Sequence, residues 1–129
     1  MVNRLLVGAA LMAAAATSIG LGCGDSSTDG AGGGTDCATA TIFPYSSPEI
    51  QAAFDKCTTC HDSTLMGDGE RQLAPAGFDY ETYENAKKFP ANIREQVEDD
   101  EMPEPALPQL TPAEKTNLLA WADCGTPGP

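Results

Sequence analysis

The chain of 129 residues has one histidine, His61, one tryptophan and seven basic side chains. Each shortage excludes something. A single histidine rules out any site that takes two imidazoles from this chain. Seven basic against 19 acidic side chains give a net charge of −12 at pH 7. Such a chain is not built to bind nucleic acid, and anionic lipid repels it. Its charged partners are expected to be basic. Apolar runs are also scarce: the one long stretch lies within residues 5–21 and is barely long enough to span a bilayer.

That stretch reads as an export signal. Arg4 gives a weak positive start, and Leu5 to Ala16 is apolar and alanine-rich. Residues 1–22 are therefore excluded from the folded domain. The run Ile19-Gly20-Leu21-Gly22-Cys23 resembles a bacterial lipobox, in which small residues precede a cysteine that is lipidated and becomes the mature N-terminus. Gly20 stands where that pattern usually has leucine, with Leu21 one later. Cleavage near Ala14–Ala16, or an uncleaved anchor, are the other readings. All three put the domain outside the cytoplasm, on the periplasmic or cell-surface side of a bacterial membrane. Gly24 to Asp36 is a Gly, Ser, Thr and Asp tether, which a lipid-anchored domain needs to stand off its membrane. The domain is then residues 37–129. Loss of residues 1–22 removes only Arg4 among the charges and leaves −13.

Cys57-Thr58-Thr59-Cys60-His61 organises the domain. The spacing C-x-x-C-H is the attachment signature of a c-type haem. Two thiols three residues apart on one helical turn reach the vinyl groups on one porphyrin edge, and the following histidine offers a nitrogen to the iron. A bare C-x-x-C also serves as a redox dithiol or half of a zinc site. The dithiol reading lacks a surrounding thioredoxin-like pattern. The zinc reading needs two more ligands, for which Cys37 and Cys124 are available.

Helix signals surround the motif. Ser47-Pro48-Glu49 caps and starts a helix whose apolar positions Ile50, Ala53, Phe54 and Cys57 fall on one stripe. Asp62 to Gly77 reads as a Gly- and Pro-rich loop. Asp79 to Phe89 predicts a short helix capped by Asp79, and Ile93 and Val97 a second after Pro90. The acids Glu98-Asp99-Asp100-Glu101 oppose a helix C-terminus, so the chain is expected to leave helix there. They form either a solvated loop or a surface that steers a basic partner. Thr111-Pro112-Ala113-Glu114 is a capping box, Gly125 and Pro127 a stop, and Leu118, Leu119 and Ala122 the inward stripe between them, with Trp121 as core packing.

With one histidine, bis-histidine ligation from this chain is impossible, and the candidates for a second axial ligand are the methionines Met66 and Met102, each of which can instead fill a gap in the core. Met66 lies five residues past His61, too close to return over the opposite face of a ring. Met102 lies 41 residues on, stiffened by Pro103 and Pro105, and is the expected ligand. A thioether favours reduced iron and closes the sixth position.

These residues resemble a class I c-type cytochrome. The haem motif ends a first helix, Met102-Pro103 sits in a later loop, and Leu110 to Asp123 reads L-T-P-A-E-K-x-x-L-L-A-W-A-D. Gly77 to Glu84 also resembles small exported bacterial cytochrome-c-like domains. The resemblance covers about residues 50–125 and implies an all-α cytochrome c fold of about four short helices around one covalently bound haem. It also implies a proline carbonyl accepting from the ligand histidine, a part that Pro75 is positioned to play or to leave for that of a turn residue. Cys124 departs from the pattern, where a small apolar residue is expected. With Cys23 given to lipid and Cys57 and Cys60 to haem, Cys37 and Cys124 remain as a disulfide pair in an oxidising compartment. The function implied is one-electron transfer between exported redox proteins, without bond-making catalysis. The rivals are a haem enzyme or gas-binding subunit with a displaceable sixth ligand, and an accessory relay subunit of a larger redox complex.

Overall fold

A computed structural model describes residues 34–129. The export segment, Cys23 and most of the tether lie outside the described residues. The chain divides at residues 31 and 32, and all that follows concerns the second unit, Gly32–Pro129.

Among the described residues the secondary structure is helical, with no strand. The helices are α1 (Pro48–Cys57), α2 (Gly67–Glu70), α3 (Tyr83–Ala86), α4 (Pro90–Glu98) and α5 (Pro112–Asp123). The all-α expectation holds, with one more element than foreseen, since the single turn α2 interrupts the loop after the haem motif.

Local chemistry sets each boundary. Ser47 caps α1, its hydroxyl accepting from the Ile50 N–H, and Pro48 occupies the first turn, where its missing N–H costs nothing. Thr111 and Glu114 form a reciprocal capping box on α5. Gly125, at φ 89°, takes the left-handed conformation that ends it. The cap of α3 corrects the sequence reading. Thr82, not Asp79, accepts from the Asn85 N–H, and Asp79 instead faces a buried guanidinium. Helix α4 stops among the acids as expected. Asp99 ends it, and Asp100 at φ 56° turns the chain away.

The core forms where α5 packs on both α1 and α4. Trp121, Phe54, Ile50 and Leu118 are its largest fully buried side chains. Trp121 meets the Phe54 ring edge-on at 5.3 Å, and Tyr45 lies 5.1 Å from Phe54, geometries that aromatic quadrupoles favour. The inward stripe of α5 is Leu118, Ala120, Trp121 and Ala122, whereas Leu119 is only partly buried.

The two ends of the domain are tied together. Cys37 and Cys124 form a disulfide across a separation of 87 residues, with Cα atoms 5.5 Å apart. Loop-closure entropy makes such a link worth about 4 kcal/mol. Beside it, the Thr35 N–H donates to Asp123. The Pro127 carbonyl accepts from both the Tyr45 N–H and the Trp121 indole, at 2.9 and 3.0 Å.

Candidate functional site

A cavity of about 340 Å³ is lined by Cys57, Cys60 and His61, by Leu73, Pro75, Phe78 and Tyr80, by Ile93, Gln96 and Val97 of α4, and by Met102, Pro103 and Leu107. Its volume falls among pockets that enclose a cofactor-sized ligand, roughly 300–1,000 Å³. Its walls are mostly apolar, and every residue expected to hold or ligate a haem contributes to it. Met66 is 76% exposed and lines no part of this cavity.

Helix α1 delivers the thiols. The Thr58 and His61 N–H groups donate to the Phe54 and Cys57 carbonyls, so the helical turn continues through the motif. Cys57 and Cys60 are free thiols. Burial pushes the Cys57 thiol up to about 12, and burial raises that of Cys60 as well. Both stay protonated at neutral pH, so neither is a ready thiolate nucleophile. The zinc reading loses Cys37 and Cys124, which are bonded to each other. Among the described residues, no group of three or more His, Cys, Asp or Glu is arranged to hold a metal ion.

His61 is half-buried, and its Nδ1 lies 2.7 Å from the Phe78 carbonyl. A carbonyl only accepts, so Nδ1 carries the proton and Nε2 keeps the lone pair. Burial lowers the imidazole pKa, with the Phe78 bond opposing, and the net direction keeps the ring neutral. The Tyr80 ring lies 4.9 Å from that of His61, and the Tyr80 N–H donates to the His61 carbonyl at 2.8 Å. The partner expected from sequence, Pro75, is displaced from this role. Its carbonyl accepts from Arg71 instead, because the loop turns so that Phe78 faces the imidazole.

Arg71 explains that turn. It is only 6% exposed. Its Nε, Nη1 and Nη2 donate to the carbonyls of Ala74, Asp62 and Pro75 at 3.1, 2.8 and 2.9 Å. An Asp79 carboxylate oxygen lies 2.8 Å from Nη2 but off the line of its N–H bonds, so that contact is an ion pair only. These bonds offset a local cost. Gln72 and Leu73 are consecutive non-glycine residues at φ 50° and 69°, a left-handed pair that costs roughly 1–3 kcal/mol per residue. The Leu73 side chain is thereby left on the cavity wall, 79% exposed.

Met102 arrives from the end of α4. The N–H groups of Glu101 and Met102 both donate to the Gln96 carbonyl, at 2.9 and 3.0 Å. With the Asp100 N–H donating to the Val97 carbonyl and Asp100 left-handed, this is a Schellman-type cap. Two residues later the chain reaches the cavity.

Sequence reasoning missed Arg71, the Phe78 carbonyl and the donors that fix the Met102 loop. A carbonyl leaves no mark in a sequence, since every residue has one. Arg71 did leave one: it is the only basic residue between Lys56 and Lys87, in a loop otherwise short of donors.

Comparison with models of protein families, with curated proteins and with solved structures finds no match to this chain.

Proposed function

We propose that this protein is a one-electron carrier of the class I cytochrome c type, with one haem c bound through Cys57 and Cys60 and ligated by His61 and Met102. One observation carries the reading: Cys57, Cys60, His61 and Met102 line a single, mostly apolar cavity, although Met102 lies 41 residues beyond His61. The donor set fits the group. His61 is neutral with its lone pair on Nε2, and Met102 supplies a soft sulfur. Each protonated thiol can add across one vinyl double bond, sulfur to one carbon and hydrogen to the other, so no further reactant is consumed.

When bound, haem iron supplies a reversible one-electron couple. The chain does the rest. The Phe78 carbonyl orients His61 and raises its basicity. Ile93, Val97 and Phe78 exclude water and favour the less charged state of the site. Met102 would supply a second ligand to the iron and leave no open position for oxygen chemistry. The finer readings belong to the same proposal: a cytochrome c fold, export, a lipid anchor at Cys23, and basic exported redox proteins as partners. None of the helices among the described residues is long and apolar enough to cross a membrane.

The test is absorption spectroscopy of the full chain, exported with haem-attachment machinery, beside Met102→Ala. The expected wild type is low-spin in both oxidation states and unresponsive to carbon monoxide. It shows a weak far-red band from sulfur bound to oxidised iron, which the variant loses. A high-spin protein that binds carbon monoxide readily moves the enzyme or sensor reading ahead. Absence of covalent haem overturns the proposal altogether.

A further inference from the structure

The chain just after Met102 is short of its own hydrogen-bond donors. Pro103, Pro105 and Pro108 have no N–H, and within residues 103–108 the backbone bond formed is from the Leu107 N–H to the Glu104 carbonyl, 2.8 Å. Carbonyls in such a stretch need donors from elsewhere. Gln109 supplies them. Its Nε2 lies 3.2, 2.7 and 2.9 Å from the carbonyls of Pro103, Glu104 and Leu107. The backbone carbonyl of Gln109 in turn accepts from Lys56 Nζ at 2.9 Å, and Lys56 immediately precedes Cys57. Gln109 does not itself line the cavity, whereas Lys56, Met102, Pro103, Glu104 and Leu107 do.

We propose that Gln109 is a positioning residue for the Met102 sulfur. Its amide gathers the chain directly after Met102 into one turn, and its carbonyl fixes that turn against the helix that carries the thiols. The Gln96 carbonyl holds Met102 from the N-terminal side, so the residue is secured on both flanks. The inference rests on the His61 and Met102 ligation proposed above.

The test uses the full haem-loaded chain with Gln109→Met, which keeps length but removes the donor, and Gln109→Glu, whose ionised carboxylate only accepts. Added imidazole competes with the methionine in the oxidised protein, so its affinity reads how firmly the sulfur is presented. Loss of two or three modest hydrogen bonds should tighten imidazole binding about tenfold in either variant. The far-red band should be lost at lower pH than in wild type, and the Leu107 amide should exchange faster. A wild-type band that both variants leave unchanged, with unchanged imidazole affinity, overturns the role of Gln109 alone. A wild type without that band overturns the ligation reading and this proposal with it. A gain in affinity accompanied by equally faster exchange throughout α1 and α5 overturns positioning in favour of general loosening.

Discussion

Arg71 and Gln109 perform the same local task on the two loops that bring His61 and Met102 to one cavity. Each gathers three backbone carbonyls. They differ in physics. Arg71 is buried, cationic and faced by Asp79, and gives a separate nitrogen to each carbonyl. Gln109 is exposed and neutral, and its one amide nitrogen divides two hydrogens among three acceptors. Charge-assisted bonds shielded from water are about twice as strong as neutral ones exposed to it. The His61 side is therefore the fixed frame and the Met102 side the compliant one. Such an asymmetry suits the proposed site, in which the cysteines and histidine would be permanent attachments and Met102 would hold by a single sulfur.

The largest effect that would break this comparison is at Arg71. Arg71→Met removes all three side-chain bonds, leaves the Ala74 carbonyl without a donor while Asp62 and Pro75 keep those from the Leu65 and Phe78 N–H groups, and strips Asp79 of its counter-charge. Stripping one partner from a buried pair costs about 3 kcal/mol. Urea denaturation should show that loss, and amide exchange should accelerate across residues 62–79 first. A smaller loss than Gln109→Met causes would invert the ranking of the two sides. Adding Asp79→Asn should restore part of the stability, since the orphaned carboxylate is then gone.

The sequence carried the elements and the ligands further than it carried the supports. Capping residues, prolines and apolar spacing are local signals. They located α1, α4 and α5 within a residue or two, and the C-x-x-C-H and Met-Pro motifs marked residues that do share a cavity. Asp79 was misread because an aspartate ahead of a helical stretch looks the same whether it caps a backbone or pairs with an arginine eight residues back. Of the two readings of Pro75, the turn residue stands and the partner of His61 does not, because the choice between two carbonyls three residues apart depends on left-handed turns at Gln72 and Leu73, which nothing in those residue types announces. Gln109 was invisible because an exposed glutamine has no preferred partner until the loop is in place.

A pH dependence sharpens the comparison from the compliant side. Lys56, which ties Gln109 to α1, is paired with Glu114 of α5. The Lys56 ammonium and the Thr111 groups hold the Glu114 carboxyl below its usual range. A depressed folded pKa means that the unfolded chain binds the proton more readily, so this contribution is complete above the ordinary value near 4.5 and is lost as pH falls through the folded one. Glu114→Gln keeps the capping box but not the charge pair. It should lower stability by about 0.5–1 kcal/mol at pH 7, and its denaturation midpoint should fall less steeply below pH 4.5 than that of the wild type. Parallel acid profiles for the two proteins would remove Glu114 from the account.

The smallest effect concerns the flank before Met102. Helix α4 has no basic residue in its last turn and ends among acids, which the macrodipole opposes. Lys115 of α5 supplies the missing cation, donating to the Glu98 carbonyl at 3.1 Å and to the Asp100 carboxylate. Asp100 is 81% exposed at its side chain, so water screens the pair. Lys115→Met should cost only about 0.5 kcal/mol, an ordinary value for an exposed pair. Asp100→Gly removes the same carboxylate but relieves the left-handed backbone at φ 56°, and glycine at such a cap recovers a similar amount, leaving stability within about 0.5 kcal/mol of wild type. The two variants therefore separate charge from conformation at one cap. If both lose stability equally, the carboxylate governs the turn that leads to Met102. If Asp100→Gly is neutral while Lys115→Met is not, the left-handed backbone governs it, and the lysine serves mainly the Glu98 carbonyl.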